Sequence, residues 1–442
     1  MPYIASSKAD LILWDVIEEH FDEAAFLFGQ WEGALYSPIF DLTGLAKIER
    51  RLEAHVDGLV LGGTEVAQRI LDPELTNGGE QGRAVVSALA LLFSGDDEIA
   101  NRVLETTLHA ETPLDRVLAR ALVLVNLESI DRGLLTRIRS AVLEPQRALL
   151  LDILTGRGID AGELLREWSV SSDPRLIGAV LDATARFARR ELVAFAEEHL
   201  SSPEPVRAKA LRAAVALGSQ TGWQLCRELA QQPETAGSDA LSYLGLLGHA
   251  SDYEILYAQL ENPAHAEHAI WALAFTGTLR AGDACLASLE NTDERLAKAA
   301  AEAMSWIAGF DLSDSRFREA PGEPGEEQTL PALDEDDLDA DLAPDVLDSL
   351  PIPNRGAIAK WWKANRNRLA PEGRNILGRT ESAAAVMHAL EAASLWRRHG
   401  LALELQIRSS GRLHVSTDAF SPRQRRQLAA LAGQLQRMEP SH

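Results

Sequence analysis

The stretch from Asp173 to Phe310 repeats at intervals of about thirty residues, and this period constrains the fold more than any other feature of the chain. Pro205 to Gly218, reading PVRAKALRAAVALG, is the clearest copy; Asp239 to Gly248, Ala269 to Gly277 and Ala299 to Gly309 are others. The closing glycines Gly218, Gly248, Gly277 and Gly309 stand 30, 29 and 32 residues apart. The rhythm extends upstream through Gly95, Asn126, Gly156 and Arg189, giving at least eight units.

Each unit reads as two helices. Val206, Ala210, Leu211, Ala213, Ala214 and Leu217 follow a 3.6-residue period. Pro203 and Pro205 open that helix, where a missing N–H costs little, and Gly218 closes it. A second helix is expected from about Thr221 to Gln231. One such pair cannot bury its apolar face alone, so neighbours must stack. The acid-Pro-x-Val-Arg opening, internal alanines and Leu-Gly turn resemble HEAT-type repeats. The expected fold is all-α: an α-solenoid of HEAT-like helical pairs with an N-terminal helical cap and a C-terminal helical module.

Four regions are expected. Residues 1–60 form the cap, 61–310 the repeats, 311–353 a mobile acidic linker and 354–442 the C-terminal module. Arg83 to Phe93 and Arg116 to Val125 read as buried helices of the looser early repeats. From Glu319 to Asp348 there are twelve acidic residues and no basic one, among recurring prolines, a composition that cannot offset its ordering entropy by burial. In the tail, Leu403, Leu405 and Ile407 alternate as in a strand, but Leu, Ala, Glu and Gln favour helix, and Ser394 to Arg408 is read as helical. Leu413 to Thr417 is read as a short extended piece.

Charge is unevenly distributed. The chain carries 43 basic and 66 acidic residues, a net of −23. Residues 351–442 hold 15 Lys/Arg and 6 Asp/Glu, a net of +9, which leaves 28 basic and 60 acidic residues, a net of −32, in residues 1–350. The overall sign disfavours a nucleic-acid backbone or an anionic membrane as partner. The tail interleaves Lys360, Trp361, Trp362, Lys363, Arg366 and Arg368, a pattern open to nucleic-acid stacking or to packing against the acidic body; packing is preferred, with Trp361, Trp362 and Trp396 as anchors. No segment has the length and apolarity of a membrane span, no export signal is read at the N-terminus, and a cytoplasmic location is expected. Cys226 and Cys285 fall at equivalent places two repeats apart, on the order of 20 Å by helix-layer spacing, too far for a disulfide.

Leu45-Ala46-Lys47-Ile48-Glu49-Arg50-Arg51-Leu52-Glu53-Ala54-His55-Val56-Asp57-Gly58-Leu59, with Glu18 to Leu27 before it, resembles the opening signature of an uncharacterised proteobacterial family with HEAT-like repeats. Ala359 to Trp362, Gly373 to Gly378 and Leu401 to Leu405 fit the same family. The resemblance implies gene neighbourhoods of type VI secretion and its effectors. It implies no biochemical activity, and the acidic linker is longer than it leads one to expect.

Motifs that carry chemistry are sparse. The sequence contains no phosphate-binding glycine loop, no Cys-x-x-Cys and no His-Glu dipeptide; His265 and His268, at i and i+3, offer two metal ligands at most. No catalytic residue, cofactor or metal is expected. The leading expectation is a non-enzymatic protein-binding scaffold or adaptor linked to type VI secretion or effector delivery, its partner a secretion effector or a structural component. The alternative is an enzyme, lyase- or glycosylase-like, working in the concave groove. With second helices taken to line that groove, Arg190, Trp223, Arg227, Tyr253, Tyr257 and Arg280 are the expected partner contacts, because aromatics and arginine dominate hot spots.

Overall fold

The computed structural model describes residues 12–77, 80–232, 238–319 and 346–438. Among these the chain is all-α, its one strand pair being Asn375–Ile376 with Arg379–Thr380. Two compact units divide it: Met1–Leu35, Leu42–Gln224 and Leu405–Leu431 in one, and Tyr36–Asp41, Leu225–Glu404 and Ala432–His442 in the other.

In the first unit, Gln81–Phe93, Leu114–Leu124, Glu144–Arg157, Pro174–Phe187 and Val206–Ala216 are the first helices of successive pairs, each packed against the next. The expected helices beginning at Arg83 and Arg116 are among them. Asp173 starts its helix by accepting from the backbone N–H of Arg175 and Leu176, with Pro174 next in line. Nine residues of that helix are buried, including Leu176, Val180 and Leu181. Close approach is set by small residues: a Cβ on Gly156 would come within 2.9 Å of the Val123 side chain.

The repeat turns are more regular than the sequence suggests. Left-handed residues close these helices at Gly158 (φ 80°), Ala188 (φ 50°) and Gly218 (φ 76°), thirty residues apart. The turn positions read from sequence, Gly156 and Arg189, are therefore corrected. Gly156 is still helical and is small because Val123 abuts it, while Ala188 adopts the left-handed conformation that glycine takes elsewhere.

The tail segment of this unit satisfies the carboxyl ends of the first helices. Arg423 Nη1 donates to Val123 O (3.0 Å) and its Nη2 to Gly156 O (3.3 Å) and Arg157 O (3.0 Å). Gln406 Nε2 reaches Ala185 O at 3.3 Å. Arg157 serves its neighbour in the same way, donating to Leu122 O and to Val125 O (2.7 Å). Buried Glu49 accepts from the Trp31 indole (3.0 Å) and from the Ser421 backbone N–H (2.8 Å), at the amino end of Ser421–Met438 where the helix dipole favours a carboxylate.

In the second unit, Ser238–Leu247, Ala266–Thr276 and Glu294–Ala308 are the stacked first helices. A hairpin tip caps two of them: Asn375 N donates to Gly277 O (2.8 Å), Leu377 N to Trp306 O (2.6 Å) and Gly378 N to Ile307 O (3.1 Å). The sequence reading missed this hairpin because Leu377 (φ 48°) stands where Asn, Asp or Gly would signal a tight turn. Residues 394–408 are helical as expected, forming Leu395–Arg408. No strand is assigned to Leu413–Thr417. Trp362 lies against Gly282, where a Cβ would fall 2.3 Å from its ring, and its indole donates to Asp283 (2.9 Å). Trp361 packs on Phe310 and Phe317, and Trp396 on Trp271. Phe317, from the expected linker, is buried, and Asn354 N donates to Phe317 O (2.8 Å). Residues 320–345, the centre of that linker, lie outside the described residues.

Arg397 is the hub of this unit. It is 1% exposed, pairs with Glu302 through Nε (2.9 Å) and Nη2, and donates from Nη1 to Trp271 O (2.8 Å). Trp271, Phe275, Trp306 and Trp396 surround its guanidinium with centroids 5.0 to 5.8 Å away. Cys226 and Cys285 are buried free thiols, each pushed up to about 12 by burial.

Two outcomes are expected. Ala188→Gly relieves left-handed strain and raises stability by about 0.5–1 kcal/mol, visible as a higher urea midpoint; a lower midpoint would mean the methyl contact on Gly411 outweighs the strain. Glu302→Gln strands the Arg397 charge and costs about 3–5 kcal/mol, whereas the double variant Glu302→Leu/Arg397→Met unfolds at a higher temperature than Glu302→Gln; a double variant no better than the single refutes the stranded-charge account.

Candidate functional site

The thirty-residue period places charge as well as turns. Asp152, Asp182 and Arg212 each lie six residues before the left-handed residues Gly158, Ala188 and Gly218, on three consecutive stacked helices of the first unit. Lys209 joins them, its Nζ 2.6 Å from Asp182. Arg116 is exposed on a neighbouring helix, and half-buried Arg175 pairs with buried Asp115 at 2.7 Å. The result is a charged face of both signs, left uncovered by the second helices.

The Asp152 side chain is open to solvent, yet protein surrounds it closely enough that burial pushes its carboxyl up to about 6, with Asp182 adding to the rise while Lys209, Arg116 and Arg175 oppose it. One turn further along, the sign becomes positive. Burial, then Arg423 and Arg212, push Arg186 down to about 10. Half-buried His414 is pushed down to about 3 by burial and by Arg186, Arg423 and Arg212. Its ring nitrogens face Gln406 Oε1 (3.0 Å) and Ser416 Oγ (3.2 Å), so it stands neutral and fully bonded.

A cleft of about 540 Å³ opens in the same unit between Leu42–Leu61 and the start of Ser421–Met438. Leu52, Val56 and Phe93 supply apolar lining, Glu53 acidic lining, and Arg50 and Arg425 basic lining. A smaller one of about 370 Å³ shares Arg423 and Arg426 with it.

The contacts expected from sequence fall in both units. In the first, Arg190 is exposed and donates to Ser410 Oγ (3.0 Å), and Trp223 is half-buried. In the second, Arg227, Tyr253, Tyr257 and Arg280 lie on three successive second helices. Arg227 is held by buried Asp252 at 2.6 Å, and the Tyr253 hydroxyl donates to Gly248 O at 3.0 Å. Tyr257 and Arg280 do come together: the guanidinium stacks 3.9 Å above the ring and pairs with Glu254. His265 is buried against Gln232 O (2.9 Å), and His268 is exposed. The sequence reading missed Asp152, Asp182, Arg186, Arg212 and His414. The spacing 152, 182, 212 was legible, and following the charges rather than the glycines at that period would have found three of them.

Asp152 makes the face pH-sensitive. Its folded value is raised, so stability contributed by the protonated form is present below the ordinary carboxylate value and is lost as pH rises through about 6. Asp152→Asn is therefore expected to raise the melting temperature relative to the parent at pH 7.5, with the difference vanishing by pH 4; a pH-independent difference would refute the account. No protein-family model matches the chain, and no curated protein matches it.

Proposed function

We propose that this chain is a non-enzymatic adaptor that binds a protein partner across the charged face of its first unit. The observation that carries the reading is the periodic placement of Asp152, Asp182 and Arg212 on stacked helices, interleaved with Lys209 and Arg116. A face of alternating sign built on a repeat suits an extended polypeptide of complementary charge, and such complementarity supplies specificity more than raw affinity. This moves the proposed contacts from second helices to first helices. Arg280 with Tyr257, and Arg190, remain secondary candidates. The setting of type VI secretion or effector delivery rests on the family resemblance of the two ends of the sequence.

One observation favours the enzyme alternative: a carboxyl at about 6, with a lysine and a second carboxylate nearby, is the kind of perturbed group that acid–base chemistry uses. The two readings separate experimentally. Full-length protein and an Asp182→Lys/Lys209→Glu/Arg212→Glu variant are immobilised and used to capture partners from the native lysate, with quantification by mass spectrometry. The adaptor reading expects a protein enriched by the parent and lost by at least tenfold with the variant, while Asp152→Asn retains it. Identical capture by parent and variant would sink it.

A further inference from the structure

We propose that Arg186, Arg212 and Arg423 form a binding site for a tetrahedral oxyanion of the phosphate class. The three side chains come from different parts of the first unit: Pro174–Phe187, Val206–Ala216 and Ser421–Met438. Two of them border one turn. Arg423 donates to Gly156 O and Arg157 O, while Arg186 Nη2 lies 3.6 Å from where a Cβ on Gly158 would stand. Arg212 approaches from the neighbouring helix. His414, bonded to Gln406 whose amide holds Ala185 O, lies beside all three without adding charge.

Among the described residues, the guanidiniums of Arg186 and Arg212 have no hydrogen bond and no ion pair; the Phe187 ring, 5.2 Å from the Arg186 guanidinium, is the nearest stacking contact of Arg186. The local balance is positive. Arg157, Arg186, Arg212 and Arg423 face the carboxylates of Asp131 and Asp418, and Asp131 is held by Arg157 at 2.5 Å. Asp182, one turn before Arg186, is held by Lys209. Like charges that outnumber their counterions repel one another, most strongly at half-buried Arg186 and Arg423, and a bound anion reduces that repulsion. A single carboxylate saturates one guanidinium fork; a phosphate presents enough oxygens to engage three.

The site shares Arg212 with the adaptor face but does not rest on the adaptor reading, and its test uses no partner protein. Full-length protein is titrated with sodium phosphate, and with sodium acetate or sodium chloride at matched ionic strength, by calorimetry and by thermal shift. The expected result is saturable phosphate binding at least tenfold tighter than acetate, weakened tenfold or more by Arg186→Gln or Arg212→Gln. Arg212→Lys, which keeps the charge but not the fork, retains an intermediate affinity, and Arg139→Gln, at an exposed position outside the site, leaves binding unchanged. Adenosine monophosphate and a phosphoserine peptide, titrated in parallel, identify the source of the phosphoryl group by which binds more tightly than free phosphate. Absence of saturation, equal effects of acetate and phosphate, or unchanged phosphate affinity in Arg186→Gln and Arg212→Gln would each overturn the proposal. Arg212 is solvent-exposed, so its variants keep the test meaningful if Arg186→Gln does not fold.

Discussion

An α-helix ends with four carbonyls that its own backbone cannot satisfy, and this chain stacks many helices whose carboxyl ends must all find donors. Within each unit, the donors come from residues that follow the repeats. Arg423 supplies three carbonyls in one unit, while the 375–378 hairpin supplies the other. A guanidinium is well matched to such helix ends, because it stays charged when buried, presents five donors in a plane, and complements the negative end of the helix dipole. The positive tail is thus matched to peptide oxygens as well as to acidic side chains. The basic excess of residues 351–442 read from the sequence is accounted for in part by backbone geometry.

Buried charge in the second unit is tolerated because it is multiply bonded. Arg397 donates to the mid-helix carbonyl of Trp271 and pairs with the Glu302 carboxylate at once, within aromatic walls that exclude water. Arg398, beside it, shows the contrast. It is fully buried, donates from Nε to Leu390 O (2.6 Å), and has both terminal nitrogens without a partner; burial pushes it down to about 10. Adjacent arginines on one helix therefore have opposite energetic characters: Glu302 hydrogen-bonds Arg397, while Asp41 acts on Arg398 only through its charge.

Much of the architecture was legible because helical repeats write their packing into a period. Alanine, leucine and turn glycine recur wherever helices approach closely or end, so the helical pairs and the helical 394–408 could be read directly. The hairpin at 375–380 could not, since Leu377 carries no turn signal and is held in place by Trp306 O, 71 residues upstream in sequence. Ala188 misled for a related reason: the fold demands a left-handed residue there and the sequence supplies no glycine. The charged face was half legible. Asp152, Asp182 and Arg212 keep the period, but their convergence with Arg423 and His414 depends on pairings across more than 200 residues, which no local pattern encodes.

Those distant pairings bear on how the chain reaches its folded state. Ser421 meets Glu49 across 372 residues, and Arg423 meets Val123 across 300. A ribosome extrudes the chain from its amino end, so the early repeat helices emerge long before the residues that terminate their hydrogen-bond ladders. Neighbour stacking can proceed at once because its contacts are local, whereas closure must await Ser421 and Arg423 and the loop entropy of joining such remote points. The first unit is therefore expected to persist during synthesis as a stacked but open-ended intermediate, its carboxyl ends held by water until Arg423 arrives.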